Sequence, residues 1–373
     1  MLAAFFMSWG HFLSLGLSLL RSIGSAGWRV VPKRLLLFIP GWCLFGLLNL
    51  VHWTGFLLDE LLFPGYRQVS IRRPVAIVGV PRSGTTHLYR VLAGAPGFTT
   101  LTLFECVLAP SISERYFWFA MARLLRPLAR FRWPVPRGFL ARMADIHELG
   151  LMEPEEDFLL LLWLGACFLL VVPCPAEPRY WRLGSFDEAL PAPDRRTVFE
   201  FYRRCLQRHL YFHGEQLQIL SKNPSFTPAL HSLREVFPDA VLVACVREPG
   251  ATVPSQLSSL LPAFALVGDG KMPAGFQQKM IETLRHYYSL VGELSREGLP
   301  VVTMARLQND LAAVVDEVLA AAGLVPTVAF RASLKALGQS GRSYQSGHRY
   351  AAADFGLDEE TINRFFSGVW PLS

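Results

Sequence analysis

Apolar residues are concentrated at the start of this chain. Two runs, residues 2–20 and 35–58, contain no charged residue. Each is long enough to cross a bilayer as a helix. Arg21, Arg29, Lys33 and Arg34 lie between them. The first run is interrupted by Ser8, Gly10, His11, Ser14 and Ser18, the second by Pro40, Asn49, His52 and Thr54. Helices lying in the membrane interface fit these polar positions as well as spanning helices do, and two buried core helices are the soluble alternative. No basic segment precedes the first run and no small-residue cleavage site follows it, which argues against a cleaved signal peptide. The turn Phe63-Pro64-Gly65 closes the region. Residues 1–63 therefore read as a membrane-associating helical region and residues 64–373 as a second domain.

From residue 64 the pattern changes to short apolar runs separated by helical periodicity. Residues 75–78, 98–103, 216–220, 240–246 and 301–304 read as strands. Leu88, Val91 and Leu92 fall at helical spacing after the first of them, residues 198–213 after a Pro-rich loop, and Leu311–Ala322 before Gly323. Residues 158–172, almost wholly apolar, read as a buried helix. Pro154, Glu155, Glu156 and Asp157 read as its first turn, where acids favour the positive end of the helix dipole. Strands alternating with helices predict an α/β fold, a three-layer sandwich around a mostly parallel sheet, preceded by the N-terminal apolar helices.

Composition sharpens this picture in two places. Hydrophobic residues make up 51% and charged residues 18%, against about 25% charge in average soluble domains. The net charge is +6 and the pI about 9.1, which suits an anionic ligand or membrane surface. Residues 115–142 interleave Arg115, Arg123, Arg126, Arg130, Arg132, Arg137 and Arg142 with Phe117, Trp118, Phe119, Phe131, Trp133 and Phe139. That is the composition of an interfacial helix. An RNA-binding patch is the rival, disfavoured because apolar residues dominate, so no nucleic-acid partner is expected. The six cysteines, Cys43, Cys106, Cys167, Cys174, Cys205 and Cys245, form no C-x-x-C pair and read as buried thiols. No zinc spacing is visible and no metal is expected.

The chemistry centres on Gly79-Val-Pro-Arg-Ser-Gly-Thr-Thr86, between a strand and a helix. Such a loop directs backbone N–H groups and a helix N-terminus at one point, where an anion fits. Gly79, Gly84 and Thr86 keep the spacing of the nucleotide triphosphatase loop, but Thr85 stands where the lysine that reaches the β- and γ-phosphates belongs. Arg82 enters the loop instead. This argues against ATP hydrolysis. Further on, Lys222 ends a strand before Asn223-Pro224, and Arg247 ends another, with Ser255 eight residues later. Strand carboxyl ends are the ligand-binding edge of an open α/β sheet, and arginine with a serine hydroxyl suits a phosphate.

The PRSGTT loop, the lysine turn and the Arg247/Ser255 pair, in this order, resemble the sulfotransferases that use 3′-phosphoadenosine 5′-phosphosulfate (PAPS), in their bacterial-type, membrane-associated branch. The likeness covers about residues 66–366. It implies that Arg82, Ser83, Gly84, Thr85 and Thr86 hold the phosphosulfate, that Arg247 and Ser255 hold the 3′-phosphate, and that Lys222 faces the leaving group. It also implies that Glu105 is the general base. His147 is a second candidate in that role. Arg342, His348 and Arg349, in a basic glycine-containing loop, would close the nucleotide site. The implied reaction is sulfuryl transfer to a hydroxyl or amine. A nucleotide kinase and a non-catalytic membrane adaptor are the rivals. The uncharged runs and the Arg/aromatic stretch further predict a hydrophobic or lipid-like hydroxylated acceptor, and attachment to the cytoplasmic face of a bacterial membrane or, in a eukaryote, to the Golgi.

Overall fold

The computed structural model describes residues 1–24, 29–125, 150–341 and 352–371. His147, Arg126 to Arg142 of the basic stretch, Trp133, Arg342, His348 and Arg349 lie outside them. The two apolar runs form helices α1 (Leu2–Gly24) and α2 (Val31–Leu62), the latter with Pro40 inside it. Then come β1 (Val75–Gly79), α3 (Thr85–Ala93), β2 (Phe98–Thr99), α4 (Leu103–Val107) and α5 (Ile112–Leu125). Beyond residue 150 the main elements are α6 (Ala192–His213), β3 (Gln218–Lys222), β4 (Val241–Val246), α7 (Pro249–Val267), α8 (Phe276–Arg296), β5 (Val301–Thr303) and α9 (Leu311–Ala322).

The five strands form one parallel sheet in the order β2-β3-β1-β4-β5. Val75 sits between Leu220 and Val241, and Gly79 opposite Cys245. All five residues of β1 are buried, as expected of a central strand covered on both faces. One face packs against α3 and α9 through Leu88, Leu92, Val314 and Val318. The other face belongs to a second core cluster that includes α6 and α8, with the N-terminal helices packed outside on α6, α5 and the 3₁₀ segment Asp157–Leu164. The α/β architecture with N-terminal apolar helices is thus as the sequence implies.

Two predicted elements differ. The strand over 98–103 keeps only Phe98 and Thr99, because Thr102 caps α4: its hydroxyl accepts from the Glu105 amide, and the Glu105 carboxylate accepts from the Thr102 amide. This reciprocal capping box starts a helix where the strand would continue. The apolar stretch 158–172 is two 3₁₀ segments, Asp157–Leu164 and Phe168–Val171, broken at Gly165 in the left-handed region (φ 66°). A Cβ at Gly165 would stand 2.6 Å from the His11 Cβ of α1, so the close approach of α1 decides the break.

The N-terminal helices are inverted relative to a water-soluble protein. Their polar residues face the body. Ser8 donates to the Trp163 carbonyl at 2.6 Å and receives hydrogen bonds from Asn49 and Trp53. His11 meets the Leu164 carbonyl at 2.8 Å, Ser18 donates to Glu177, and His52 pairs with Glu114 at 2.5 Å. At the end of α2, Asp59 accepts from Arg208 of α6 (2.8 Å) and from the Ile112 and Ser113 amides that start α5. At its beginning Lys33 donates to the Gly268 carbonyl and Arg34 to the Val267 carbonyl, at the end of α7. The outward face carries Phe6, Leu13, Leu17, Leu36, Leu44, Leu47 and Leu61, all exposed. Cys43 belongs to that face and is exposed, contrary to the expectation of burial; the other five cysteines are buried and all six are free thiols. Among the described residues, three helices, α1, α2 and α7, have the length and hydropathy to cross a membrane.

Candidate active site

The loop after β1 is shaped by three contacts. A Cβ at Gly79 (φ 107°) would stand 2.2 Å from the Cys245 carbonyl oxygen of β4, so glycine is required where the two strands approach. Thr227 holds the same residue from below, accepting from the Gly79 amide (2.8 Å) and donating to its carbonyl (2.7 Å). Gly84, left-handed at φ 88°, precedes α3; a Cβ there would meet Leu307 and Met304 at 2.7 Å. Between them Arg82 adopts φ 65°, a conformation that costs a non-glycine residue about 1–3 kcal/mol. The strained backbone directs its guanidinium across to α7, where Nε donates to Ser255 Oγ at 3.0 Å.

A cleft of about 1000 Å³ opens beside this loop. Its lining includes Arg82, Gly84, Thr85, Thr86, Arg247 and Ser255, which the sequence placed in the site one by one and the sheet brings together at its carboxyl edge. Ser83 belongs to the loop but not to the lining: it is fully buried and its hydroxyl donates to the Val80 carbonyl at 2.5 Å. The same cleft is also lined by the apolar residues Phe158, Phe168, Val171, Val172, Leu260 and Met280.

Lys222 and its surroundings add residues that the sequence reading missed. The buried ammonium donates to Thr86 Oγ1 at 3.3 Å and to the Glu156 carboxylate, and Glu156 lines the cleft. Burial pushes the Glu156 carboxyl above its ordinary value, only partly offset by Lys222. Beneath the pair, Asp157 is fully enclosed. It accepts from Tyr202 (2.7 Å), from Ser221 (2.9 Å) and from the Asn223 amide, while Asn223 Oδ1 accepts from the Phe158 amide at 3.0 Å. This lattice ties the turn carrying Lys222 to the segment carrying Glu156. Asp157 thus stands in the first turn, as expected, but of a 3₁₀ segment with Glu156 at its N-cap, and both acids also bond the end of β3. The signal in the sequence was three consecutive acids directly before fifteen apolar positions, a run that must take some of them into the interior.

Glu105 is not brought to the cleft. Besides capping α4, its Oε1 lies 2.6 Å from His213 Nε2, 3.4 Å from His209 Nδ1 and 3.6 Å from an Arg115 nitrogen. Burial alone would raise its pKa, but His209, His213 and Arg115 together hold it well below the carboxylate range. Burial in turn pushes His209 down to about 4. Glu105, His209 and His213 have the donor types of a metal site, and the one-turn His209/His213 spacing escaped the sequence reading. The adjacent guanidinium and the hydrogen-bond distance to His213 fit an ion-pair network better than a cation.

The match to the sulfotransferase family covers residues 74–324. Two curated relatives, the omega-hydroxy-beta-dihydromenaquinone-9 sulfotransferases Stf3 of Mycobacterium bovis and Mycobacterium tuberculosis, are each 28% identical over 227 residues. That stretch is 59% of this chain and 54% of theirs, so the chain spans about half the length of the curated relatives it matches. The fold is similar to that of sulfotransferase STF1 from Mycobacterium tuberculosis, with TM-score 0.66, 19% identity and coverage of 96% of this chain and 92% of that one. It is also similar to STF9 from Mycobacterium avium, with TM-score 0.62, 19% identity and coverage of 84% and 79%.

Proposed function

The chain belongs to the sulfotransferase family, and from that premise we propose that it transfers a sulfuryl group from PAPS to the hydroxyl of a lipid-like acceptor at a membrane. The observation that carries this reading is the mixed lining of one cleft, which holds converging anion-binding groups together with a set of apolar side chains. A relative whose name specifies a hydroxylated menaquinone derivative supports the acceptor class.

The residues present suit the donor. The Gly79 and Gly84 backbones leave room that a Cβ would fill, and the N-terminus of α3 opens into the cleft. Thr85, Thr86 and the loop amides would hold the phosphosulfate; Arg247 and Ser255 would hold the 3′-phosphate. PAPS supplies the sulfuryl group when bound. Lys222 and Arg82 would neutralise the charge that grows on the leaving phosphate oxygen. As the acceptor oxygen bonds to sulfur and the bridging S–O bond breaks, the acceptor proton would pass to Glu156. This carboxylate lines the cleft and carries a raised pKa, as a base poised towards neutrality needs. Glu105, implied as base by the family likeness, is instead committed to its histidines and arginine. Incubating the full-length protein with sulfur-labelled PAPS and hydroxylated isoprenoid lipids tests the reading; no labelled lipid would overturn it.

Nucleotide affinity gives a second check. Arg247 is one-third exposed and paired with Glu248 at 3.3 Å. A 3′-phosphate would receive a charge-assisted pair from it, so Arg247→Ala should weaken binding of 3′-phosphoadenosine 5′-phosphate by about 1.5–3 kcal/mol and leave AMP binding nearly unchanged. Equal losses for the two nucleotides in calorimetry would remove the 3′-phosphate assignment.

The inverted helices support attachment to a membrane. The α2 helix is bonded to the body at its start, middle and end, which supports a helix that stays with the domain rather than crossing a bilayer alone. Its apolar face, with exposed Tyr116, Phe117, Trp118 and Phe119 of α5, would enter one leaflet, a monotopic arrangement. Full-length protein should float with anionic liposomes and stay with them at high salt, since buried apolar area rather than charge holds it. Protein that stays in the soluble fraction without detergent would sink both the attachment and the lipid acceptor.

A further inference from the structure

The cleft contains one buried hydroxyl that the reaction described above does not use and that has no partner in the folded chain. Helix α8 turns Met280, Thr283, Leu284 and Tyr287 to the cleft, one helical turn after another. Tyr287 is 3% exposed, yet its hydroxyl has no hydrogen-bond partner. The other fully buried tyrosines among the described residues are all partnered: Tyr66 with Glu60, Tyr89 with the Glu155 carbonyl, Tyr180 with Arg179, Tyr202 with Asp157 and Tyr288 with the Arg247 carbonyl. A buried polar group without a partner is unusual in a folded chain and is explained when a ligand completes it. Its position is equally specific. Tyr287 lines the same cleft as Arg82, Glu156 and Arg247.

We propose that the Tyr287 hydroxyl is the positioning group for the acceptor, donating its hydrogen bond to the oxygen that receives the sulfuryl group, and that it makes this site select an alcohol at the end of an apolar chain over an amine. The inference rests on the sulfotransferase reading and deepens it. Burial pushes the phenol above its ordinary value, so it remains a neutral donor at any physiological pH. An alcohol oxygen has two lone pairs: one accepts from Tyr287 while the other attacks sulfur, and its proton leaves to Glu156. An alkylammonium has no lone pair to accept with. It would also lose its hydration against the apolar lining and face the positive charges of Arg82, Arg247 and Lys222. A site built to bond a hydroxyl rejects a group that leaves the site's own polar atom unpaired.

The experiment uses the full-length protein in detergent, with labelled PAPS and two probes of equal length, farnesol and farnesylamine. The parent should sulfate farnesol in clear preference to farnesylamine. Tyr287→Phe should raise KM for farnesol about tenfold, the scale of one hydrogen bond, and narrow the alcohol/amine preference. It should leave the affinity for 3′-phosphoadenosine 5′-phosphate and the thermal midpoint unchanged, because no contact within the folded chain is lost. Parent-like kinetics in Tyr287→Phe, or a parallel loss of nucleotide affinity, would overturn the proposal. Binding of farnesol to the nucleotide-loaded protein, measured by calorimetry, separates this inference from the functional reading. Binding that weakens in Tyr287→Phe without any turnover by the parent would keep the anchor and reject the reaction. Absence of farnesol binding by the parent would reject the anchor.

Discussion

Glu156→Gln is expected to lower turnover by about 10²–10⁴, the range for loss of a general base, while nucleotide binding persists. Glutamine keeps the shape of the side chain and can still accept from Lys222, so a purely orienting role would survive the change. Proton removal would not. The pH profile provides the discriminating readout. A base must be ionised to act, and burial raises the Glu156 pKa. Parent turnover should therefore rise with pH through a midpoint above the ordinary carboxylate value of about 4.3, and this acid limb should vanish in Glu156→Gln. Glu105→Gln is the control. Its carboxylate caps α4 and binds His213 outside the cleft, so its loss should lower stability and leave turnover per folded molecule close to the parent. The reverse result, a parent-like Glu156→Gln and a crippled Glu105→Gln, would return the base to the position implied by the family likeness.

Arg208→Leu should destabilise the protein by about 3–5 kcal/mol, the cost of leaving one member of a buried ion pair alone. Neither Arg208 nor Asp59 is exposed to any degree. The guanidinium also reaches Glu60 at 3.2 Å and lies over the rings of Tyr66 (4.2 Å) and Phe56 (4.9 Å). Removing it strands the Asp59 carboxylate among apolar neighbours, with only the amides at the start of α5 and the Ser113 hydroxyl to satisfy it. Because the pair joins α2 to α6, its loss should also loosen the N-terminal hairpin from the body. Chemical denaturation in detergent reads the first effect and limited proteolysis between residues 24 and 64 the second. The double variant Asp59→Leu/Arg208→Leu should be less destabilised than the two singles summed, since neither charge is then left unpaired. A single-variant loss below about 1 kcal/mol would mean that the pair is not the joint.

What can be read from the sequence and what cannot divides along a physical line. Groups whose geometry is set by adjacent residues were legible. Gly79 and Gly84 announce backbone that side chains would block, and Lys222, Arg247 and Ser255 follow strand ends in an order that a parallel sheet carries to one edge. The α/β class came from the same local periodicity. Groups whose partners lie far along the chain were not legible. Glu105 stands at the family spacing, but Thr102 three residues earlier draws it into a cap, and His209 and His213, more than 100 residues on, complete its coordination. Glu156 and Asp157 are helix-start acids, as they read, but only the fold sets Ser221, Lys222 and Asn223 against them. The breaks at Ser8, His11, Asn49 and His52 seemed to weaken a membrane helix.

By itself, then, the sequence determined the anion-binding loop, the strands that deliver its partners and the presence of two outsized apolar helices. These depend on backbone conformation and on total hydrophobicity, which neighbouring residues control. Only the tertiary structure decided which carboxylate meets the lysine and which face of each apolar helix turns inward. Hydrophobicity records how much surface must leave water, but not whether protein or lipid will cover it. Here the polar side chains of α1 and α2 find buried partners on the domain, so the apolar faces are left outward and the ordinary inside–outside rule is reversed.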